Sequence, residues 1–586
     1  MTGPTLWDRL ERLLHREHHA ILLGHRDLMT LPIDERVERG DSLADLEFLG
    51  EVEGGRIRLR CADNLAKYRV GDPLRLGNGD GSPGAGLGVL YESFDDATRT
   101  LVVSRDPFRT GGRLDPRGLL QLDPEAQSLT GLALEALARV RSSRSAAALA
   151  ARAVLEGEAV PALDPVKRAD AERAATLLTP ELDAWQIEAL VGAVASTPLT
   201  LVQGPPGTGK THVLARIVSA LGAEGHRVLV SAYTHRAVNH ALRKIAEADP
   251  SLAVVKAGKT SGADDLRGST VATVPSLRRL GPERNARRVV GATVLGLRSA
   301  WEEGSFDAVV MDEAAQVPLA YAPCAFLCAA RYVLVGDHRQ LGPIVQGRHA
   351  DPFAGRSVFE HLAPAYPPVL LRTTYRMNGG VNAFPSAAFY GGRLLPSSGA
   401  ASARFDHIPG GPFDALFDPE RPAVLALVRH EGFRTRSEPE ARAVAGIVLD
   451  RIVRQGGDPR DVAVVSPYRA QLRLIRTLVQ RGLAEASARV PMPVIDTVER
   501  IQGQERDLVV VSLAASDPDH LAGEAAAFFY SGNRLNVTIT RARTKLIVVA
   551  SPLAFEAFPR SYGGLADAER FRRLRRDLPA FDVTPS

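Results

Sequence analysis

Cysteine and long hydrophobic runs are both scarce in this sequence, and each scarcity excludes a class of protein. The three cysteines, Cys61, Cys324 and Cys328, are too few for a disulfide framework, and too few for a four-cysteine zinc or iron–sulfur site without help from histidine. No apolar run approaches the roughly 18–20 residues that cross a bilayer, and the charged first residues lack the apolar region of a signal peptide. We therefore expect a soluble, cytoplasmic protein with no membrane partner and no zinc or iron–sulfur cluster.

An excess of charge of one sign is also missing. The 72 basic and 68 acidic residues give a net charge of +4. That balance is compatible with nucleic-acid binding but does not argue for it, because the distribution of charge matters more than its sum. Length is more informative, since a single hydrophobic core does not extend over 586 residues. We expect roughly three or four domains.

Hydrophobic patterning divides the chain into two long α/β regions and several smaller segments. Apolar strands alternate with helices over residues 176–350 and again over 351–558, the pattern of parallel sheets with crossover helices. Short alternating runs over residues 36–115 favour a small β-barrel. The predicted fold class is therefore α/β, with two tandem parallel-sheet lobes and a small N-terminal barrel. The other segments are expected to be N-terminal helices over residues 1–35, a helical stalk and linker over 116–175, and a C-terminal tail over 559–586.

The most recognisable motif is GPPGTGKT at residues 204–211, which follows a predicted strand and opens a predicted helix. Its glycines let backbone N–H groups turn inward around phosphates, and the helix N-terminus adds positive potential. We expect Lys210 to reach the β- and γ-phosphates of ATP, and the Thr211 hydroxyl to ligate Mg²⁺. The predicted nucleotide-binding residues of this loop are Gly204, Pro205, Pro206, Gly207, Thr208, Gly209, Lys210 and Thr211.

A pair of acidic residues follows the predicted strand in FDAVVMDEAAQ, residues 306–316. Ligands of open α/β sheets bind at the carboxyl ends of the strands, where Asp312 and Glu313 lie. We expect Asp312 to hold Mg²⁺ through water, and Glu313 to accept a proton from the attacking water. An isolated Asp-Glu pair is usually just solvated, but its position after a strand and downstream of the phosphate loop favours the functional interpretation.

The stretches that follow resemble superfamily I helicases of the Upf-like branch. The resemblance is carried by DEAAQ, GDHRQLGP (336–343), TYRMNGGVNAFPSAAFYGGRL (374–394), VVSPYRAQ (464–471), DTVERIQGQERDLVVVSL (496–513) and RLNVTITRAR (534–543). It covers about residues 180–550 and implies two RecA-like lobes and a bacterial AAA-type helicase of DNA or RNA. The N-terminal barrel and helices resemble the accessory barrel and stalk of the same branch.

Matching positions in these motifs imply roles in the nucleotide site. Gln186, in LDAWQIEAL, matches the glutamine that reads adenine, and Tyr375 matches the tyrosine that stacks on it. Gln340 matches the glutamine that senses the γ-phosphate. Arg376 and Arg541 match two arginines that reach the phosphates from the second lobe, a task that suits the permanent charge and planar fork of arginine. If both arginines come from the second lobe, hydrolysis requires closure of the lobes.

Three other positions bear on the nucleotide site less directly. Glu505 matches a motif glutamate near the nucleotide. Thr374 stands where glutamine often precedes YRM, and Asp183 stands where asparagine is frequent; neither change removes a catalytic group, but nucleotide selectivity could loosen. The four-cysteine cluster of the nuclease-fused relatives is missing, so no nuclease is expected.

Candidate contacts to a nucleic-acid backbone lie at predicted strand ends. Hydroxyl and backbone N–H groups suit phosphate contacts, which position a strand without reading its sequence, and an aromatic ring can stack on any base. The alternative is that the threonines simply cap helices. By family position the candidates are Thr234, His235, Arg236, Thr293, Tyr468 and Thr497.

The full motif series predicts a helicase or translocase that uses ATP and Mg²⁺ on single-stranded DNA or RNA, moving 5′ to 3′ as the branch implies. Two alternatives stay open. One is a nucleic-acid-stimulated ATPase that acts as a clamp or remodelling switch without processive unwinding. The other is a P-loop ATPase unrelated to nucleic acid. Strand stimulation of hydrolysis and displacement of a duplex separate the three hypotheses.

Overall fold

The computed structural model of the protein describes most of the chain, including every candidate site residue. The described residues are 4–52, 55–62, 64, 66–68, 70–79, 86–95, 98–106, 114–126, 129–176, 181–258, 264–277, 288–297, 303–345, 347, 349, 351, 353–501 and 503–583. In these ranges we find no helix with both the length and the apolar character needed to span a membrane.

The N-terminal part of the chain forms a closed antiparallel barrel between helices. Its helices are α1 (Leu6–Thr30), α2 (Ile33–Glu38), α3 (Thr130–Ser142), α4 (Ala146–Leu155) and α5 (Pro165–Thr176). Its strands are β1 (Leu43–Val52), β2 (Arg56–Arg60), β3 (Pro73–Gly77), β4 (Leu87–Asp95), β5 (Thr100–Arg105) and β6 (Leu120–Pro124). They close in the order β1-β2-β5-β4-β3-β6. Alternation along β2 buries Ile57 and Leu59 inside the barrel, as a period of two requires.

Helix α1 attaches the N-terminal part to the first α/β lobe. Thr5 begins the helix through a capping box with Asp8, which satisfies two of the free N–H groups at the helix start. One face of α1 buries Trp7, Leu10 and Leu14 in a core shared with α3, α4 and the strands of the first lobe. This apolar stripe at helical spacing is what fixes the helix against the lobe.

The first lobe is an eight-stranded parallel sheet covered by helices. Its strands are β9 (Leu199–Gln203), β10 (Val228–Ala232), β11 (Ala253–Ala257), β12 (Ala272–Val274), β13 (Arg288–Thr293), β14 (Ala308–Met311), β15 (Tyr332–Gly336) and β16 (Val369–Leu370), and a small separate pair precedes them, β7 (Ala162–Leu163) with β8 (Ser196–Thr197). The spatial order is β12-β11-β13-β10-β14-β15-β9-β16. Its helices are α6 (Ala184–Ala195), α7 (Lys210–Ala223), α8 (His235–Ala248), α9 (Ala322–Phe326) and α10 (Val358–Leu362).

The second lobe repeats this architecture with six parallel strands. They are β19 (Ala423–Leu427), β20 (Val462–Val465), β21 (Val494–Asp496), β22 (Arg506–Ser512), β23 (Ala542–Ala550) and β24 (Ala580–Asp582), in the order β21-β20-β22-β23-β19-β24, preceded by the pair β17 (Thr373–Thr374) and β18 (Leu395–Pro396). Its helices are α11 (Gly379–Phe389), α12 (Ser398–Ala401), α13 (Asp414–Phe417), α14 (Glu438–Leu449), α15 (Arg469–Glu485), α16 (Pro518–Ala522), α17 (Ala526–Phe529), α18 (Gly532–Ile539) and α19 (Tyr562–Asp577). The predicted α/β class, with two parallel-sheet lobes and an N-terminal barrel, is confirmed.

Three elements lie across the segment boundaries expected from the sequence. Strand β6 closes the barrel although it follows residue 115, and β16 joins the first sheet although it follows residue 350. The last segment is more than a tail, because β24 pairs in parallel with β19 and completes the second sheet. These strands are short and pair with strands distant in sequence, which local patterning does not report.

Candidate nucleotide and nucleic-acid cleft

The phosphate loop joins β9 to α7 in a conformation that depends on glycine. Gly207 and Gly209 both adopt a φ of 75°, in the left-handed region that other residues avoid. Residues 205–211, which include the start of α7, line one concavity, and a glycine-rich loop at a helix N-terminus is an anion-binding geometry. Lys210 lies there and its Nζ donates to the Gly204 carbonyl at 2.8 Å.

The acid pair follows β14, whose neighbours in the sheet are β10 and β15. Asp312 is 3% exposed, and burial, reinforced by Glu313, raises the pKa of Asp312 to about 7. Glu313 adopts a φ of 47°, a left-handed conformation that is costly for a residue with a side chain. Gln316 Nε2 donates to Glu313 Oε2 at 3.2 Å. The strained turn directs the two carboxylates into the same space as Lys210.

Gln340 is held by a buried aspartate beyond the end of β15. Its Nε2 donates to Asp337 Oδ2 at 2.8 Å, and Gln203 Nε2 donates to Asp337 Oδ1 at 3.1 Å. Both Gln340 and Asp337 are at most 5% exposed. Since Gln203 ends the strand before the phosphate loop, this aspartate connects Gln340 to the base of that loop.

The two arginines of the second lobe lie in the first lobe's cleft. Arg376 Nε donates to Glu505 Oε2 at 2.5 Å, and its Nη1 donates to the Thr540 carbonyl at 3.1 Å. Arg541 is 3% exposed, and its Nε donates to the Val537 carbonyl at 2.9 Å. Burial, and then the adjacent Arg376, lower the pKa of Arg541. A buried cation held by neutral carbonyls favours an incoming anion.

One continuous cleft of about 2370 Å³ brings most of the predicted catalytic and phosphate-binding residues together. Pro205 to Thr211 line it, with Asp312, Glu313 and Gln340 of the first lobe and Arg376 and Arg541 of the second. Charged groups from both lobes therefore face one space. Such an enclosure can bind a polyphosphate between a lysine, two arginines and two carboxylates.

The residues predicted to recognise adenine lie beside this cleft and do not line it. Gln186 is 2% exposed; its Nε2 donates to the Thr208 carbonyl at 3.1 Å, and its Oε1 accepts from the Asp183 N–H at 3.0 Å. Tyr375 is half exposed, and its hydroxyl donates to Asp183 Oδ2 at 2.8 Å. Burial and this carboxylate raise the pKa of Tyr375 to about 12. Glu505 is engaged by Arg376. The adenine roles stay predictions.

The structure divides the predicted nucleic-acid residues into two groups. Thr234, His235, Arg236 and Thr293 line the cleft at the carboxyl ends of β10 and β13. The hydroxyls of Thr234 and Thr293 also accept from the N–H groups of Ala237 and Gly296, so the capping interpretation describes them as well.

Tyr468 and Thr497 are buried and lie outside the lining of this cleft. The Tyr468 hydroxyl is 3.0 Å from His520 Nε2, and its ring packs against His520 and Phe528. In this conformation the ring is covered by protein, and its stacking on a base stays a prediction.

Several residues that line the cleft lie outside every motif and were not predicted from the sequence. Tyr68 and Tyr91 bring the barrel to the cleft wall, while Arg243 and Lys244 extend the basic face of α8 beyond Arg236. The polar face of α8 could have indicated Arg243 and Lys244, because apolar residues occupy the opposite face of the helix at helical spacing. Nothing in the barrel sequence indicated which of its aromatic residues would face the lobes.

The donor set fits a divalent cation. Thr211 and Asp312 line the same cleft and offer a hydroxyl and a carboxylate, the hard oxygen ligands that Mg²⁺ prefers. The raised pKa of Asp312 indicates a buried carboxylate with too little positive charge around it, which a cation would supply.

Comparisons with known proteins find both lobes. Two family models, each described as an AAA domain, match residues 181–363 and 354–553. The mouse (Mus musculus) protein "DNA replication ATP-dependent helicase/nuclease DNA2" is 30% identical over 434 residues, which are 67% of this chain and 39% of that protein. Its counterpart in Gallus gallus is 26% identical over 564 residues, 92% of this chain and 54% of that protein.

The Arabidopsis thaliana protein "DNA replication ATP-dependent helicase/nuclease JHS1" is 28% identical over 64% of this chain and 28% of that protein. The chain thus spans about half the length, or less, of these curated relatives. All three are eukaryotic and do not support the bacterial assignment. Among solved structures, arterivirus nonstructural protein 10 (helicase) is similar over 89% of this chain and 80% of that one, with 14% identity and a TM-score of 0.39.

Proposed function

We propose that the chain, as a member of the Upf-like branch of superfamily I helicases, is an ATP-dependent helicase and translocase on single-stranded DNA or RNA, moving 5′ to 3′. The observation that carries the proposal is the presence of Arg376 and Arg541 of the second lobe in the cleft that holds Lys210 and Glu313 of the first. Only the helicase activity in the relatives' names is proposed for this chain, since the mouse match covers 39% of that protein.

Each lobe contributes separate groups to hydrolysis. Lys210 and the loop N–H groups bind the phosphates, and Glu313 accepts the proton of the attacking water. Thr211 and Asp312 would hold Mg²⁺, which when bound offsets phosphate charge and orients the oxygens. Arg376 and Arg541 stabilise the negative charge that develops during phosphoryl transfer. Because these arginines belong to the second lobe, hydrolysis and product release change the force that holds the lobes together.

A nucleic-acid strand would follow the basic side of the same cleft. Arg236, Arg243 and Lys244 give α8 a positive face there, and contacts of this type bind phosphates without regard to sequence. Movement of the lobes would then displace the strand relative to α8. Gln186 and Tyr375 are proposed to recognise adenine from the edge of the cleft, with Glu505 orienting Arg376.

The cysteines are proposed to hold no zinc or iron–sulfur cluster. Cys61 lies in the barrel core, while Cys324 and Cys328 lie in the core of the first lobe. Burial raises the pKa of Cys324 and of Cys328 to about 12. Metals bind the thiolate, and burial in apolar surroundings disfavours that charged form.

The direct test is an ATPase assay with single-stranded DNA, with single-stranded RNA, and with neither, each with Mg²⁺ and again with excess EDTA. We expect strand-stimulated hydrolysis that EDTA abolishes. Glu313→Gln should retain binding of a fluorescent ATP analogue and lose about 10²–10⁴-fold in turnover, whereas Lys210→Ala should lose the binding as well. Wild-type turnover in Glu313→Gln would refute the assignment of the base.

Direction and unwinding are tested with tailed duplexes. A duplex with a 5′ tail should be displaced faster than one with a 3′ tail, and the opposite preference would refute the 5′ to 3′ direction. Strand-stimulated hydrolysis without displacement of either duplex would favour the clamp or switch. Hydrolysis that neither strand changes would favour an ATPase unrelated to nucleic acid.

A further inference from the structure

A buried cluster of polar side chains joins the two lobes next to Gln340. The Tyr390 hydroxyl, at the end of α11 in the second lobe, donates to Asp337 Oδ2 of the first lobe at 2.7 Å. Asn536 Nδ2 of α18 donates to the Tyr390 hydroxyl at 2.7 Å and lies 2.8 Å from the Arg339 carbonyl. Tyr390, Asn536 and Asp337 are at most 2% exposed. We call these three residues the lobe node.

The lobe node reaches Gln340 on one side. Asp337 Oδ2 accepts from both Tyr390 and Gln340, so the same oxygen is shared by a side chain of each lobe. Burial, and then Asp337, raise the pKa of Tyr390 well above its usual range, and the phenol therefore stays a donor. A charge-assisted bond in a buried setting is among the stronger polar contacts a protein makes.

On its other side the lobe node reaches Arg541 through α18. Asn533 and Asn536 are one turn apart on this helix and lie on the same face, with Asn533 Nδ2 donating to the His338 carbonyl at 3.3 Å. Arg541 follows the helix and is held by the Val537 carbonyl, one residue after Asn536. A shift of α18 against residues 337–340 would therefore move Arg541 with it.

We propose that Tyr390 is a positioning residue that fixes Gln340 and Arg541 relative to each other, so that both reach the nucleotide phosphates only when the lobes are docked. The inference rests on the proposed function, because it concerns how that phosphate site is coupled to the second lobe. Tyr390 acts through Asp337 and Asn536 and does not itself line the cleft. Its loss should lower the rate of the chemical step and leave nucleotide binding by the phosphate loop in place.

Tyr390→Phe tests this with Tyr530→Phe as its matched control. Tyr530 is a similarly buried tyrosine of the second lobe, 1% exposed, whose hydroxyl donates to the Ala554 carbonyl away from the other lobe. We expect Tyr390→Phe to lower the strand-stimulated kcat by about 10- to 100-fold, the effect of losing one charged hydrogen bond. The KM for ATP should stay within about twofold of wild type, and Tyr530→Phe should change neither constant.

Amide hydrogen exchange without nucleotide supplies a readout independent of hydrolysis. In Tyr390→Phe, residues 336–343 and α18 should both exchange faster than in wild type, while in Tyr530→Phe they should not. An unchanged kcat, or a fall equal to that of Tyr530→Phe, would overturn the proposal. If the wild-type protein proves not to hydrolyse ATP, the proposed function fails, and the exchange result still decides this inference: unchanged exchange in both segments refutes it.

Discussion

Arg541 is a buried cation in the cleft wall, and its burial disfavours its charged form. Its hydrogen bonds go to the carbonyls of Val537 and Gln504, and Arg376 lies close enough to lower its pKa. A buried cation beside another cation is unfavourable until an anion arrives. The residue is therefore organised for a phosphate and adds little to the stability of the lobe by itself.

Replacing Arg541 with lysine should separate the effect of the positive charge from the effect of the planar guanidinium group. Lysine keeps the positive charge but cannot hold two carbonyls and a phosphate with one planar fork, so we expect kcat to fall by roughly 10³-fold or more. The measurement is steady-state ATPase activity with a saturating strand. Arg543→Lys is the control, because Arg543 pairs with Asp507 and Asp461. Equal activities in the two variants would contradict the role of Arg541.

At the scale of elements, the phosphate loop forms direct hydrogen bonds with the second lobe. The Thr374 hydroxyl donates to the Pro206 carbonyl at 3.0 Å, and the Tyr375 N–H donates to the Gly207 carbonyl at 2.8 Å. The threonine that departs from the family pattern is thus part of this contact. A Cβ on Gly207 would lie 2.5 Å from the Arg376 Cβ, too close for the two elements to keep their positions.

Gly207→Ala should therefore impair turnover by pushing β17 and Arg376 away from the loop. Gly225→Ala is a matched control, since Gly225 has a φ of 85° but open space around the added Cβ. Both variants carry the backbone cost of about 1–2 kcal/mol for a left-handed alanine. Gly207→Ala adds the clash with Arg376, so its unfolding midpoint should fall at least as far as that of Gly225→Ala. Only Gly207→Ala should lose ATPase activity as well. Retained activity there would mean that the loop and the second lobe are not closely coupled.

Helix α1 is expected to depend on its apolar face for attachment to the first lobe. Leu10 is fully buried, and Leu22 on the same helix is 45% exposed. Leu10→Ala should cost about 2–5 kcal/mol and lower the thermal midpoint, with earlier proteolysis of α1. Leu22→Ala should stay within about 0.5 kcal/mol of wild type. Similar midpoints for the two variants would mean that α1 does not unfold with the lobe.

At the scale of the whole molecule, three parts of the chain form the walls of one cleft. The barrel contributes Tyr68 and Tyr91, the first lobe contributes Lys210 and Arg236, and the second contributes Arg541. A ligand in such a space contacts parts that can move separately. Binding at one end of the cleft should then alter binding at the other, because both favour the same closed arrangement.

This coupling predicts that a single strand tightens nucleotide binding. We expect an unlabelled oligonucleotide to raise the affinity for a non-hydrolysable ATP analogue by about 5- to 150-fold, measured by fluorescence titration with and without the strand. ADP lacks the γ-phosphate that Gln340 and the arginines are proposed to contact, so the strand should affect its affinity less. Identical affinities in both titrations would show that the two ligands bind independently.

Much of the candidate phosphate site could be predicted because its residues lie in short motifs that each follow a strand. The phosphate loop, Asp312 and Glu313 each follow a strand, and parallel strands bring their carboxyl ends to one edge of a sheet. The approach of Arg376 and Arg541 was implied only by family resemblance. Tyr390 could not be singled out, since a tyrosine within an apolar segment is usually core, and its partners are distant in sequence.

The sequence by itself determined the α/β class, the tandem lobes, and which loop and acidic residues are candidates for the phosphate site, because strand alternation and short motifs are local properties. Only the tertiary structure decided which groups face the cleft. It buried Tyr468 and engaged both polar ends of Gln186. It also added β24 to the second sheet and joined Tyr390 to Asp337. Burial and long-range pairing depend on how separate elements pack, and residues near each other in the chain do not specify that packing.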